Sequence, residues 1–271
     1  MQTITSRKND LVRAAAALAD SVRQRRESGC YLVEGARLCE DAARSGVVLE
    51  QLFYTEKAAD KYGAYLAACM AVCPQIYEIT QPVADLLAET KSTQGIFAVC
   101  RMDAVSHDLQ ALPVTGRLLA VEHLQDPANL GTILRTAEAL GVSGVVLAGD
   151  CCDIYTPKVL RASMGAVFRL PFFEADTAVQ ATQALHERKY RVYAAVPDAS
   201  AKLITRLSFS DHDAVWIGNE GNGLTKEAIE TADAAVTIPM AGRAESLNAA
   251  AAASIVMWEL CRNLSEESIR G

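Results

Sequence analysis

The chain has 271 residues, of which 51% are apolar and 22% charged, with a net charge of −7. That length suits one large domain or two ordinary ones, and the acidic balance argues against an indiscriminate nucleic-acid binder. No stretch approaches the roughly 18 uninterrupted apolar residues of a membrane span, and Met1–Asp20 lacks a basic segment leading into an apolar core, so neither a membrane partner nor a signal peptide is expected.

Taken in chain order, apolar residues at helical spacing (Leu11, Ala14, Ala15, Leu18, Val22) predict one helix from about Asn9 to Arg26. A strand at Cys30–Glu34 ends in Gly35. A helix over Ala36–Arg44, a strand at Gln51–Tyr54, a helix over Ala58–Ala71 and a strand at Ile76–Ile79 follow. Pro82 opens a further helix, and Ile96–Met102 closes the region as a strand. Residues 1–104 therefore read as a small α/β domain. Residues 105–116, with Ser106, His107, Asp108, Pro113 and Gly116, read as a linker. Residues 117–271 read as a second α/β domain, with apolar strands at Leu118–Val121, Val145–Ala148, Val192–Val196, Ala214–Ile217 and Ala235–Ile238. The stripe Leu130, Ile133, Leu134, Ala137, Leu140 marks a helix stopped by Gly141. The Ala-rich run near Ala249 marks a buried final helix from about Leu247 to Asn263. Apolar strands alternating with helices predict a parallel sheet covered on both faces.

The charge is uneven, −1 over residues 1–104 and −6 over 105–271. Basic residues of the first domain gather in Arg7, Lys8, Arg13, Arg23, Arg25 and Arg26, the region best suited to grip phosphates; a solvated helix face is the plainer explanation of such a cluster. The eight cysteines form no Cys-x-x-Cys pair and have no His at zinc-finger spacing. Cys69 and Cys73, four apart on a helix, read as small buried residues rather than half a metal site. Scattered free cysteines suit a reducing cytoplasm. His107, His123, His186 and His212 have no partners for a nucleophilic triad or a metal, and there is no Walker-type phosphate loop.

Polar residues concentrate in three segments of the second domain, each where an apolar strand ends, which is where ligands bind in open α/β sheets. The first runs from Glu122 through Asp126, Pro127 and Asn129 to Arg135. The second is Ile217-Gly218-Asn219-Glu220-Gly221-Asn222-Gly223-Leu224. The third is Ile238-Pro239-Met240 followed by Glu245-Ser246-Leu247-Asn248. The glycines fall as G-x-x-G-x-G and permit tight turns or close approach to a ligand; alone they also fit a strand-to-helix turn. Glu220 is harder to explain as turn chemistry, and its carboxylate is placed to accept hydrogen bonds that fix the loop. Arg135 lies off the apolar stripe, where a surface arginine is common. Ser246 has the chemistry of an N-cap for the last helix, with Asn248 just inside its first turn.

Together, and in this order and spacing, the three segments closely resemble the signature motifs of the SpoU (TrmH-like) family within the SPOUT superfamily. The first match reads Asp126-Pro127-Ala128-Asn129-Leu130-Gly131-Thr132-Ile133-Leu134-Arg135-Thr136-Ala137, and the others are the second and third segments. Residues 1–104 resemble more loosely, through size, element order and Lys8-Asn9, the L30e-like substrate-binding domain that precedes many SpoU domains. The resemblance implies an S-adenosylmethionine-dependent transfer of a methyl group to a ribose 2′-hydroxyl of RNA. It also implies a trefoil knot in the C-terminal domain, a homodimer with the site near its interface, and no metal. It makes Asn129, Arg135, Glu220, Ser246 and Asn248 the polar site residues. It gives the donor to the backbone around Gly218, Ile238 and Leu247, with Ile217 and Met240 beside it. Arg135 takes the place of the family's base, and Arg7, Lys8, Arg13, Arg23 and Arg26 are candidates for RNA contact. Ribosomal RNA is favoured over transfer RNA, because the L30e-like unit resembles a ribosomal protein module. Two other readings stay in view. A non-catalytic RNA-binding protein on the same fold would not need intact Asn129, Arg135 and Glu220. A dinucleotide-dependent oxidoreductase would need a different glycine spacing, earlier in its domain.

Overall fold

The computed structural model of the chain describes residues 2–262. The chain forms two compact units: residues up to Asp103 joined by Asp153–Arg169, and Ala104–Cys152 joined by the chain from Leu170 onward.

The first unit contains β1 (Gln2–Ile4), α1 (Asp10–Asp20), α2 (Val22–Ser28), β2 (Cys30–Glu34), α3 (Ala36–Arg44), β3 (Leu49–Tyr54), α4 (Glu56–Val72), β4 (Ile76–Ile79), α5 (Gln81–Leu87) and β5 (Ile96–Arg101). Its strands form one mixed sheet in the order β1-β4-β3-β5-β2, with β5 antiparallel to both neighbours. Asn9 caps α1 by accepting from the Leu11 and Val12 amides, and α1 buries Val12, Ala15 and Leu18 in a core with Phe53, Val83 and Phe97. The single helix expected over Asn9–Arg26 is two helices. Ser21 is extended, and its hydroxyl accepts from the Gln24 amide at 3.2 Å, so α2 begins from a new cap.

The second unit contains β6 (Val105–Ser106), β7 (Leu118–Glu122), α6 (Pro127–Ala139), β8 (Gly144–Ala148), β9 (Phe172–Ala175), α8 (Ala178–Glu187), β10 (Arg191–Ala195), β11 (Lys202–Leu203), β12 (Asp213–Ile217), α9 (Lys226–Thr231), β13 (Ala234–Thr237) and α10 (Ala249–Cys261). Between β8 and β9 the chain gives α7 (Pro157–Ser163) to the first unit. Every ladder of the eight-stranded sheet is parallel, in the order β11-β13-β10-β12-β7-β8-β9-β6. Residues 105–116 are part of this unit: β6 pairs with β9, and Leu112 is buried in the core. β7, β8 and β12 are buried throughout, as a parallel sheet sandwiched between helices requires. Trp216 at its centre donates its indole N–H to Thr182 at 3.0 Å, which removes the one polar cost of burying that ring. The sheet order turns back between β7 and β12, so their carboxyl ends flank the crevice where ligands of such sheets bind. Asn263, the expected end of the last helix, lies outside the described residues. Among those residues no helix is long and apolar enough to cross a membrane.

All eight cysteines are free. Burial pushes the Cys39 and Cys100 thiols well up, and that of Cys69 to about 11, so these are unreactive packing residues. Among the described residues no cluster of three or more His, Cys, Asp or Glu forms a metal site.

Within the first unit, the segment Asp153–Arg169 is held by charge and ring contacts. Arg25, only 1% exposed, donates from Nε to Asp153 Oδ2 at 2.8 Å and from Nη1 to the carbonyls of Leu18 and Ala19 at 2.6 and 3.2 Å. Tyr155 lies 4.4 Å from Tyr31, ring to ring, and Arg169 Nη1 donates to both oxygens of Asp41. Arg25 is thus removed from the basic cluster suited to phosphates, whereas Arg7, Lys8, Arg13, Arg23 and Arg26 are exposed. Its helical neighbour Arg23 pairs with exposed Glu27. We predict that Arg25→Ala lowers unfolding free energy by about 3 kcal/mol, since it strands a largely buried carboxylate. Arg23→Ala should cost less than about 1 kcal/mol. Denaturant titration of both variants checks this; equal losses would contradict the structural role of Arg25.

Candidate active site

The three polar segments lie at the carboxyl ends of β7, β12 and β13. After β7, Asp126 caps α6: its carboxylate accepts from the Ala128 amide at 2.6 Å and the Asn129 amide at 3.4 Å, and Pro127 fills the first helical position. This cap aims the Asn129 side chain outward from the first turn. Its Nδ2 donates to Glu220 Oε1 at 3.0 Å, and the same oxygen accepts the Asp126 amide at 3.3 Å.

The loop after β12 folds on itself. Asn219 and Gly223 exchange two backbone hydrogen bonds of 3.0 Å. The Asn219 side chain accepts from the Gly221 and Asn222 amides and donates to the His123 carbonyl at 2.7 Å. Gly218 is required by packing: a Cβ there would sit 2.2 Å from the Gly223 carbonyl carbon and the Leu224 nitrogen. Gly223 is required by conformation, with φ at +68°.

The third segment runs exposed from Pro239 to Asn248 and then enters α10. Here the structure corrects the expected cap. Asn248, not Ser246, caps α10, its Oδ1 accepting from the Ala250 and Ala251 amides at 2.9 and 3.2 Å. An Asn cap leaves its amide nitrogen free to donate, and Nδ2 reaches Asn129 Oδ1 at 3.0 Å. Asn248, Asn129 and Glu220 therefore form one continuous chain across all three segments.

A cavity of about 420 Å³ opens beside this chain, within the range of small-molecule sites. Ile217, Gly218, Ile238, Met240 and Leu247 all line it, as do Glu220 and Ser246. Asn129, Arg135 and Asn248 do not line it. Arg135 is exposed on α6, without a hydrogen bond or ion pair to another described residue. Sequence reasoning missed part of the wall: Ala195, Val196 and Pro197 at the end of β10, and Ala252 and Val256 on α10. The end of the Val192–Val196 strand, marked by Pro197, was a usable signal for the first three. Glu122, which opens the first polar segment, has a buried carboxylate that accepts from the Thr225 amide and hydroxyl at 2.8 and 2.7 Å.

Known proteins match both parts of the chain. Residues 116–258 match the model of the SpoU rRNA Methylase family, and residues 9–98 that of the MRM3-like substrate binding domain. An uncharacterized tRNA/rRNA methyltransferase of Synechocystis sp. is 34% identical over 96% of this chain and 93% of its own. The 23S rRNA (guanosine(2553)-2′-O)-methyltransferase RlmP of Bacillus subtilis is 28% identical, over 96% of this chain and 99% of its own. Among solved structures, the AdoMet-bound rRNA methyltransferase from Sinorhizobium meliloti superposes with a TM-score of 0.87 at 28% identity, covering 98% of this chain and 99% of that one. The SpoU methyltransferase AviRb from Streptomyces viridochromogenes, in complex with AdoMet, gives 0.83 at 27% identity, covering 97% and 100%. The family match contains all three polar segments and the strands that carry them, and the likeness to the Synechocystis relative extends over nearly the whole of both chains: the chain belongs to the SpoU rRNA methylase family.

Proposed function

We propose that this protein transfers the methyl group of S-adenosylmethionine to a ribose 2′-hydroxyl of ribosomal RNA. The observation that carries the reading is convergence. The residues matching the family's donor contacts border one cavity, and Asn248, Asn129 and Glu220 tie the three segments around it. Relatives named as rRNA 2′-O-methyltransferases, and neighbours solved with AdoMet, supply the donor and the acceptor class.

When bound, the donor's sulfonium supplies an electrophilic methyl carbon. The chain must then hold the 2′-oxygen in line with that carbon and relieve it of its proton. Apolar walls from Ile204, Ile217, Leu224 and Val236 exclude water from the donor. Glu220 and Glu245 put carboxylates at the cavity that favour a cationic centre. Ser246 presents a hydroxyl at the rim. Arg135 is assigned to the RNA side. A guanidinium holds its proton firmly, so it serves as base only with help, and an RNA phosphate held in its planar fork provides that help. Residues 1–104 select the RNA, and 117–271 bind the donor. The eight free cysteines fit a cytoplasmic setting. The trefoil knot belongs to the same proposal: residues 238–248 are the return from β13 to α10, which packs on α6 and β12. So does the homodimer. Ala251, Ile255, Trp258 and Arg262 form an exposed stripe along α10, with Ile255 39% and Trp258 58% exposed.

Purified protein, S-adenosylmethionine and rRNA from cells lacking the protein should yield a 2′-O-methylnucleoside by mass spectrometry. Arg135→Ala should reduce its single-turnover rate by about 10²–10⁴-fold while remaining folded, and Arg135→Lys should not restore it. A folded Arg135→Ala variant within a few-fold of wild type would remove Arg135 from the reaction. Sedimentation should show a dimer that Trp258→Glu converts to monomer; an unperturbed dimer would contradict the assignment of α10. Replacing Lys8, Arg23 and Arg26 together by Ala should weaken RNA binding with donor affinity unchanged. The slope of its salt dependence should fall by about 1 for each phosphate no longer neutralised. Wild-type RNA affinity would overturn the role of the first domain.

A further inference from the structure

We infer that Glu122 is a positioning residue for the donor cavity, acting through Thr225 on the glycine-rich loop. β7 and β12 run side by side with Val121 opposite Ile217, so Glu122, the last residue of β7, and Gly218, the first beyond β12, directly follow a paired position. Glu122 is 3% exposed. Its Oε2 accepts the Thr225 amide and its Oε1 the Thr225 hydroxyl. That hydroxyl donates its one hydrogen to Glu122 while a lone pair accepts the Ala228 amide, at 3.2 Å, as the cap of α9. The adjacent residue, His123, takes the Asn219 side-chain amide on its carbonyl. Two consecutive residues at the tip of β7 therefore hold both ends of the loop 219–225, and Glu220 holds its middle to Asp126 and Asn129.

The physical need is clear from the loop's composition. Gly218, Gly221 and Gly223 lie within six residues, and glycine loses the most conformational freedom on being fixed. An untethered loop would have to be ordered by the donor itself, at the expense of affinity. A carboxylate suits the clamp because it only accepts, matching the two donors that Thr225 presents.

This rests on the proposed donor reading of the cavity. The test measures S-adenosylmethionine affinity by calorimetry and amide hydrogen exchange of residues 219–225 in the unliganded full chain. Glu122→Ala should speed exchange in the loop and weaken donor binding by about ten-fold. Thr225→Ala should do the same, the double variant should be no worse than either single one, and Thr225→Ser should behave as wild type. If Glu122→Ala fails to fold, Thr225→Ala against Thr225→Ser carries the comparison. Wild-type affinity and loop exchange in folded Glu122→Ala, or in Thr225→Ala, would overturn the inference. No donor binding by the wild-type chain would instead overturn the reading of the cavity, and the role assigned to Glu122 with it.

Discussion

The Glu220 side chain is a carboxylate, a group that accepts hydrogen bonds, and the arrangement of the site depends on that constraint. Asn129 must turn its NH₂ toward Glu220, which leaves its carbonyl oxygen facing the other way. That oxygen requires a donor, and the Asn248 NH₂ is the one in place. Asn248 then has only its own oxygen left, and that oxygen caps α10. One carboxylate thus fixes the orientation of two amides, the start of the last helix, and the mutual placement of three segments far apart in the chain. Replacing any member removes the partner that orients its neighbour.

The sheet explains why such a constraint operates at strand ends. β7, β8 and β12 are buried on both faces, so their side chains are committed to packing. Polar chemistry is concentrated at and beyond the last residue of each strand, where loops are otherwise free to move. Gly218 lets the 223–224 backbone approach more closely than any side chain would permit. The same glycines loosen the loop, and the hydrogen bonds it donates to Glu122 and His123 and accepts from Asn129 offset that freedom. Close approach and rigidity come from different residues.

Much of this is legible in the sequence because it is local. Strand periodicity locates the sheet, and α3 and β4 fall where spacing places them. The three polar segments stand out because charged and amide residues follow apolar runs. What escapes is decided by tertiary context. Ser21 and Val22 fit a continuous amphipathic pattern, and only the extended conformation of Ser21 breaks it. Arg25 groups with Arg23 and Arg26 because charge is visible in a sequence and burial is not; its partner Asp153 is 128 residues away. Ser246 and Asn248 are both good caps, and α10 starts from Asn248, whose amide also reaches Asn129. Residues 153–169 belong by sequence to the second half, yet their ion pairs and ring contacts place them in the first unit.

The central claim is that these three segments make one donor site facing Arg135. A crystal structure of the chain with S-adenosylhomocysteine bound tests it directly. The account predicts the ligand in the cavity bordered by Gly218, Ile238 and Leu247, its sulfur turned toward the side where Asn129 and Arg135 lie. Ligand bound elsewhere in the chain, or in this cavity with its sulfur turned away from Arg135, would contradict it.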